Sequence, residues 1–510
     1  MFFAISVAVA FLLAVALGRS RWRTRLPPGP RRVPIFGNAL SIPVNDAWLQ
    51  FAQWRKEHGS LVYLELLGQP ALVLNTHRAA IDLLTRRARI YSDRPWNYVA
   101  AQLLTGGHFM PFMDHNDRWR GMRRASQEGL RKATVARYRQ IQYRESIRAV
   151  IGLLVSPAHW EEHLLTNSAS VILSSVYGSP PTAMTDPIVR TSTGFTERLA
   201  RAVYPGAYLV ETIPFLRFVP FWAAPWKRNA LRSYQSDSKL FYALFENGRL
   251  INPVGSTPFA RIAAEHMDSG ALSSQDAAWL CATMFTAGVE TTSASLCWFV
   301  LAMILHPQVQ ASAQDELERV VGSTRLPSYD DMEKLPYIRA IIREVLRWRP
   351  PLPLGLPHRL SEDDVYDGFH IPSGTLCIAN VWEINHDKDV WGDDADNFRP
   401  QRHLDDDGNL DRTVFTGHDD QHGSFGFGRR ICIGRHFAAD TLFITCATIL
   451  WACNLKPETL ESGAAAMPSD YAHPATGMTL HPAPFKCKIE PRNPDVSHRL
   501  QVEREALQTL

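Results

Sequence analysis

Between Ala277 and Leu305 the chain carries a single charged residue, Glu290. An apolar run of that length has two physical fates. It crosses a bilayer, or it is the central helix of a large core. A carboxylate at mid-span is costly in hydrocarbon, and here Thr286, Thr291, Thr292, Ser293 and Ser295 surround it. Both facts favour the core helix. Ser273 and Asp276 stand in front of the run with capping-box spacing, and Pro307 closes it. We therefore expect one long helix over 273–305, apolar on every side, with other helices packed around it.

The rest of the chain can supply those helices. Apolar residues make up 45% of the 510 and charged residues 21%, values of a globular protein. Basic residues number 54 and acidic ones 51, and a net charge of +3 gives no reason to expect a nucleic-acid partner. Seven cysteines are too few, and odd in number, for a disulfide-stapled secreted protein, so the thiols are expected reduced. Helices are expected over 117–132, 307–321, 336–348 and 433–451, the last being a final apolar one. Residues 61–74 read as a strand pair broken at Gly68-Gln69-Pro70, and 365–371 with 375–380 as a hairpin around Pro372-Ser373-Gly374. The stretch Asp405-Asp406-Asp407-Gly408 reads as a solvated turn. The expected class is mainly α with small β-sheets.

From Phe2 to Leu17 every residue except Ser6 is apolar, and Arg19, Arg21, Arg23 and Arg25 follow. About 17 helical residues reach roughly 26 Å, near the thickness of an endoplasmic-reticulum bilayer. No basic residue precedes the run and no clear small-x-small site follows it, which favours a retained anchor over a cleaved signal. The flanking arginines put the remainder of the chain in the cytosol. Pro27-Pro28-Gly29-Pro30 is a stiff elbow, since prolines cannot continue a helix. The organisation expected is a transmembrane anchor over 1–18, a basic, proline-rich linker over 19–35 and one large domain over 36–510.

The segment most suggestive of chemistry is Phe425-Gly426-Phe427-Gly428-Arg429-Arg430-Ile431-Cys432-Ile433-Gly434. Its glycines allow a tight turn and a close approach to a flat ligand. Cys432 precedes an apolar helix, whose positive end, together with Arg430, favours thiolate over thiol. A zinc site needs more ligands at ligand spacing than this stretch offers. His418 and His422, four residues apart in a polar loop, read as surface residues.

Phe425, Gly428, Arg430, Cys432 and Gly434 match the haem-binding signature of the cytochrome P-450 family, which the chain resembles from its Pro27-Pro28-Gly29-Pro30 elbow to near Cys487. The closest likeness is to microsomal fungal enzymes of secondary metabolism. The resemblance implies a single P-450 fold, a triangular prism of helices around a buried haem b, with the Cys432 thiolate as axial iron ligand. It implies that Trp119, Arg123, Arg359 and Arg430 serve the haem propionates. Glu344, Arg347 and Arg402 would form a structural triad that locks the loop behind the cysteine, with His403 where the family often has an aromatic residue. Ala287-Gly288-Val289-Glu290-Thr291-Thr292 resembles the oxygen-activation motif, which makes Thr291 and Glu290 the catalytic proton-delivery pair, with Gly288 leaving room for a ligand on the metal.

The activity implied is NADPH-dependent oxidation of a lipophilic small molecule, a terpenoid or polyketide, at the endoplasmic-reticulum membrane. Electrons would come from NADPH-cytochrome P-450 reductase, with cytochrome b5 as a second donor, docking on Arg429, Arg430, Arg435 and His436. Phe215, Phe218, Phe221, Trp222 and Trp226 would belong to a lid between two helices that touches the membrane. Leu352, Leu354, Leu356, Met284, Phe285 and Ala287 would line an apolar cavity.

Overall fold

The structure, a computed structural model, describes residues 26–179, 187–204, 206–251, 257–411, 422–460, 462–470 and 479–508. The expected anchor over 1–18, the first part of the linker and His418 lie outside the described residues. The chain divides into two compact units.

The first unit takes its described residues from 26–95, 354–384 and 427–430. Its helix α1 (Ala47–His58) precedes the antiparallel pair β1 (Leu61–Leu66) and β2 (Gln69–Leu74), which the Gly68 break does separate. β3 (His358–Arg359), β4 (Asp364–Tyr366), β5 (Phe369–Ile371) and β6 (Leu376–Ala379) come from the later stretch. One sheet runs β1-β2-β6-β3, with β6 parallel to β2 and antiparallel to β3. Period-two alternation explains how both its faces are buried. Val62, Leu64, Ala71 and Val73 pack with Phe51 and Trp54 of α1, while Leu61, Leu72 and Leu74 pack with Leu83 and Tyr91.

The expected hairpin around Pro372-Ser373-Gly374 is not what forms. The hairpin is β4–β5, turning at Asp367 (φ 50°) and Gly368 (φ 78°), and β6 leaves it to join β2. Two successive left-handed residues twist a two-residue turn the way the strands twist, and Asp-Gly takes them readily, whereas the longer Pro-Ser-Gly loop does not impose pairing. The proline elbow is laid along β1. Pro28 O accepts the Tyr63 N–H at 2.8 Å, and a Cβ on Gly29 would stand 2.0 Å from Tyr63 O.

The second unit is helical. Its longer helices are α2 (Asp117–Leu130), α3 (Arg139–Val155), α4 (Trp160–Tyr177), α5 (Pro187–Val203), α6 (Pro225–Leu250), α7 (Phe259–Asp268), α8 (Ser274–Leu305), α9 (Pro307–Val320), α10 (Pro336–Trp348), α11 (Arg435–Ala452) and α12 (Val496–Gln508). β7 (Cys453–Thr459) pairs with β8 (Ala465–Ala466) and β9 (Cys487–Pro491). α12, which follows β9, is a polar helix, so α11 is the last apolar one.

The long helix is α8, at 32 residues, and it is a core element. Ser273 Oγ accepts the Asp276 N–H at 3.0 Å as the expected cap. The Asp276 carboxylate turns away to Arg118 and to His108, which draws the start of α2 onto α8. Four hydroxyls along α8 donate to the carbonyl one turn back, Thr283, Thr286, Thr291 and Ser295. Such back-bonds let a hydroxyl-rich helix be buried without unpaired donors.

Candidate functional site

On α8 only one stripe of the middle turns is open. Met284, Gly288 and Thr291 are half-buried and Ala287 is exposed, while Phe285, Thr286, Val289 and Thr292 are buried. The spacing i, i+3, i+4, i+7 defines one helix face. Phe285, expected to line a cavity, is wholly buried in the core instead. Glu290 flanks the stripe. Burial pushes its carboxyl up, and the like charge of Glu197 on α5 pushes it further, so it can hold a proton closer to neutrality than an ordinary glutamate.

Gly288 has a reason other than the one expected. A Cβ there would lie 2.6 Å from Ile172 Cδ1 and 3.0 Å from Ile172 Cγ1. The glycine therefore lets α4 pack against α8.

The cysteine loop closes on itself where the Cys432 N–H meets Phe425 O at 2.8 Å. Gly426 (φ 75°) makes the turn. Gly428 (φ 56°) is required by a close approach, because its Cβ would stand 2.0 Å from Leu84 O in the first unit's own chain. Gly434 (φ −82°) does not turn the chain; it caps α11, and a Cβ there would lie 3.9 Å from Cys432 Sγ. All seven cysteines are free, and Cys432 is the exposed one. Burial pushes the other six thiols up, Cys453 and Cys487 to about 12, which makes them inert.

The guanidinium beside the sulfur is Arg123, on α2. Its Nη2 donates to Ile431 O at 2.7 Å. Burial pulls Arg123 down to about 10, and the Cys432 thiolate opposes that pull. Trp119, one turn earlier and 4% exposed, lies with its ring 5.8 Å from the Arg123 carbon, so the i, i+4 pair shares a face as its spacing predicts. Asn116 Oδ1 caps this helix by accepting the Trp119 N–H at 2.9 Å. Trp119 belongs to the core cluster against which Met284 of α8 and Ile433 of the cysteine loop also pack.

The loop is braced from behind. Glu344 and Arg347 on α10 are fully buried and paired at 2.7 Å, and Arg402 Nε reaches Glu344 at 3.1 Å. The triad read from the sequence is present. His403 joins it as a fourth member, with Nε2 2.9 Å from Glu344. Burial alone would raise the Glu344 carboxyl, but Arg347 and His403 hold it well below the usual range. Arg347 also donates to the carbonyls of Asn385 and Ala395, and Asn385 in turn holds Ser424 Oγ and the Gly423 N–H. His422, expected at the surface, is 3% exposed, and its ring packs 5.5 Å from Phe425. Burial first, then the positive charges nearby, pulls its imidazole down to about 3.

The first unit holds a cluster of cations. Arg430 donates from Nε to Ser92 O at 2.8 Å. Arg359 donates from Nε to Arg94 O at 2.8 Å and lies 3.7 Å from Asp93. Arg94, which no sequence pattern singled out, is 6% exposed and donates to the carbonyls of Leu356 and Pro357. Burial and then Arg430 pull Arg94 down, and burial and then Arg94 pull His358 down.

The described residues hold no group of three His, Cys, Asp or Glu side chains fit for a bare metal ion. Within the second unit, the exposed Cys432, Arg123 of α2 and the open apolar stripe of α8 suit instead an iron macrocycle that brings its own equatorial ligands.

The cytochrome P-450 family model matches residues 27–489. The chain belongs to the cytochrome P-450 family. It is 44% identical to a cytochrome P-450 monooxygenase of Armillaria gallica over 98% of this chain and 96% of that one. It is 40% identical to cytochrome P-450 monooxygenase 253 of Postia placenta, over 97% and 94%. With the cytochrome P-450 monooxygenase iboC of Amanita muscaria the identity is 36%, over 98% and 97%. The protein is thus a P-450 monooxygenase, an oxidoreductase of a family that carries haem on a cysteine thiolate and uses a redox partner and a small-molecule substrate.

Proposed function

We propose that this P-450 hydroxylates, or otherwise oxidises, a lipophilic small molecule of secondary metabolism, a terpenoid or polyketide, with dioxygen and electrons from NADPH. Haem b, when bound, supplies the reductive activation of dioxygen and the transfer of one oxygen atom to a C–H bond. The observation that carries the reading is the open stripe of α8, where one hydroxyl, Thr291, stands among Met284 and Ala287 beside Glu290, whose carboxyl burial pushes up.

In this reading Cys432 Sγ holds the iron, and Phe425 and Gly428 shape the loop that presents it. Trp119, Arg123, Arg359 and Arg430 supply donors to the propionates. Thr291 Oγ1, whose own proton points to Ala287 O at 2.8 Å, keeps its lone pairs for a proton passed along from Glu290. Met284 and Ala287 exclude water from the substrate side.

A basic cleft lined by Arg123, Arg124, Arg131, Lys132, Arg435 and His436 supports docking of an acidic electron donor, the NADPH-cytochrome P-450 reductase, with cytochrome b5 as an alternative. A membrane setting rests on the apolar run at 1–18 and on Phe215 and Trp222, 76% and 81% exposed, in the segment between α5 and α6. Single-pass anchoring in the endoplasmic reticulum with the domain in the cytosol follows from the arginines after that run.

The test is reconstitution with purified reductase, NADPH and isotopically labelled dioxygen. The expected product carries one labelled oxygen atom. In Thr291→Ala, NADPH consumption persists while product per NADPH falls by about tenfold or more and peroxide rises. Unchanged coupling would remove Thr291 from proton delivery.

A further inference from the structure

The segment between α5 and α6 is tied down by charge. The one-turn helix Leu209–Thr212 buries Val210 but exposes Leu209 and Ile213, at 67% and 49%. The short helical turns Pro214–Phe218 and Phe221–Ala223 bury no residue, and Phe215, Phe218, Phe221 and Trp222 are all exposed. So little apolar burial does not by itself hold a segment closed.

Three side chains hold it, one of them Arg228, which donates from Nη1 to the carbonyls of Phe221 and Trp222. Lys227, at the start of α6 and 2% exposed, donates from Nζ to the carbonyls of Arg217 and Val219. Glu211 reaches the other way. Its Oε2 accepts the Tyr98 N–H at 2.9 Å and its Oε1 the Val99 N–H at 2.8 Å. Those amides open the short helix Tyr98–Leu104, where the first N–H groups have no partner within the helix. The next amide, Ala100, is met locally by Asn97 Oδ1 at 2.6 Å. A local side chain could cap the others too. Drawing the carboxylate from a segment 112 residues on instead ties together two stretches that could otherwise part.

Tyr98 is the junction. Its N–H goes to Glu211, while its ring meets Trp226 edge-on at 6.2 Å and lies 5.8 Å from Lys227 Nζ. Val99, Val210, Phe195 of α5 and Trp279 of α8 belong to one buried cluster, so the tied stretches rest on the helix that bears the open stripe.

We propose that Glu211 is a latch: by accepting the Tyr98 and Val99 amides it holds the 209–223 segment shut over the route to the open stripe of α8, and its release sets how fast a ligand passes. The proposal rests on the reading of that segment as a lid. Glu211 is a positioning residue and touches no reacting atom.

The experiment uses the haem-loaded full chain and its Glu211→Ala and Glu211→Gln variants, with 1-phenylimidazole as the probe ligand. Hydrogen–deuterium exchange reports the amides of Tyr98 and Val99, and stopped-flow absorbance reports association and dissociation. In Glu211→Ala those two amides exchange faster while α6 and α8 do not, and both rate constants rise about tenfold with the dissociation constant unchanged. Glu211→Gln, which keeps one accepting oxygen, falls between. If Glu211→Ala folds poorly, the comparison is made on Glu211→Gln alone. Unchanged exchange at Tyr98 and Val99 overturns the latch and leaves the lid reading standing. Faster exchange with unchanged rate constants overturns both. A changed dissociation constant with only one rate altered makes Glu211 a binding contact, which also overturns the proposal.

Discussion

Gly288 shows how one residue can fit a motif for a reason the motif does not state. Adding a methyl there improves helix propensity by about 1 kcal/mol, but overpacking against Ile172 costs about 1–3 kcal/mol. Gly288→Ala is therefore expected to destabilise the protein by about 1 kcal/mol. In an Ile172→Val background, which removes the Cδ1 that lies 2.6 Å away, the same change should become neutral or stabilising. Equilibrium denaturation of the four proteins measures this. If Ile172→Val does not relieve Gly288→Ala, the glycine serves the open face after all. His403 is the companion case. By residue type it reads as a departure at an aromatic position, yet its ring stands edge-on to Trp391 at 5.7 Å and also bonds Glu344, so imidazole does both tasks.

Among the elements, α10 and the cysteine loop are coupled through buried charge. Glu344 has lost its water entirely, and its partners Arg347, Arg402 and His403 repay that loss only while all are present. Removing one partner of such a pair costs about 3–5 kcal/mol. Glu344→Gln is expected to fall in that range and to lower haem retention, since Arg347 also carries Asn385 and through it Ser424. Thermal denaturation and the ratio of haem to protein absorbance check both. A loss under 1 kcal/mol would mean that the network is solvated. The helices were legible because they rest on local periodicity, and the Glu344–Arg347 pair because of its i, i+3 spacing; Arg402 came only from the resemblance to the P-450 family. The strand pairing was not legible, since β6 joins β2 across roughly 300 residues, a choice that the loop between 371 and 375 does not encode. Arg94 escaped for a similar reason: its carbonyl partners, Leu356 and Pro357, are distant in sequence and leave no side-chain signature.

For the whole molecule, buried neutral histidines set an acid limit on stability. His422 binds its proton only near pH 3 when folded, against 6.5 as the ordinary value. His358 is shifted the same way. The unfolded chain therefore takes up protons below about pH 6.5 that the folded chain refuses, so stability falls as pH falls through that value. His422 alone costs about 2 kcal/mol between pH 6.5 and pH 5. The depressed carboxyl of Glu344 works at lower pH, its stabilisation being lost only as pH drops below the carboxylate range. In His422→Gln the loss between pH 7 and pH 5, read from denaturant midpoints, should shrink by about 2 kcal/mol. An unaltered slope would show that His422 is protonated in the folded protein.

The account as a whole depends on Cys432 being the thiolate that holds the haem iron. The direct measurement is the absorbance of the reduced carbon-monoxide complex of the purified protein beside Cys432→Ser. The native protein should give the red-shifted Soret band of a thiolate-ligated haem, and Cys432→Ser, if it retains haem, should not. A native protein without that band, or a variant that keeps it, would contradict the assignment.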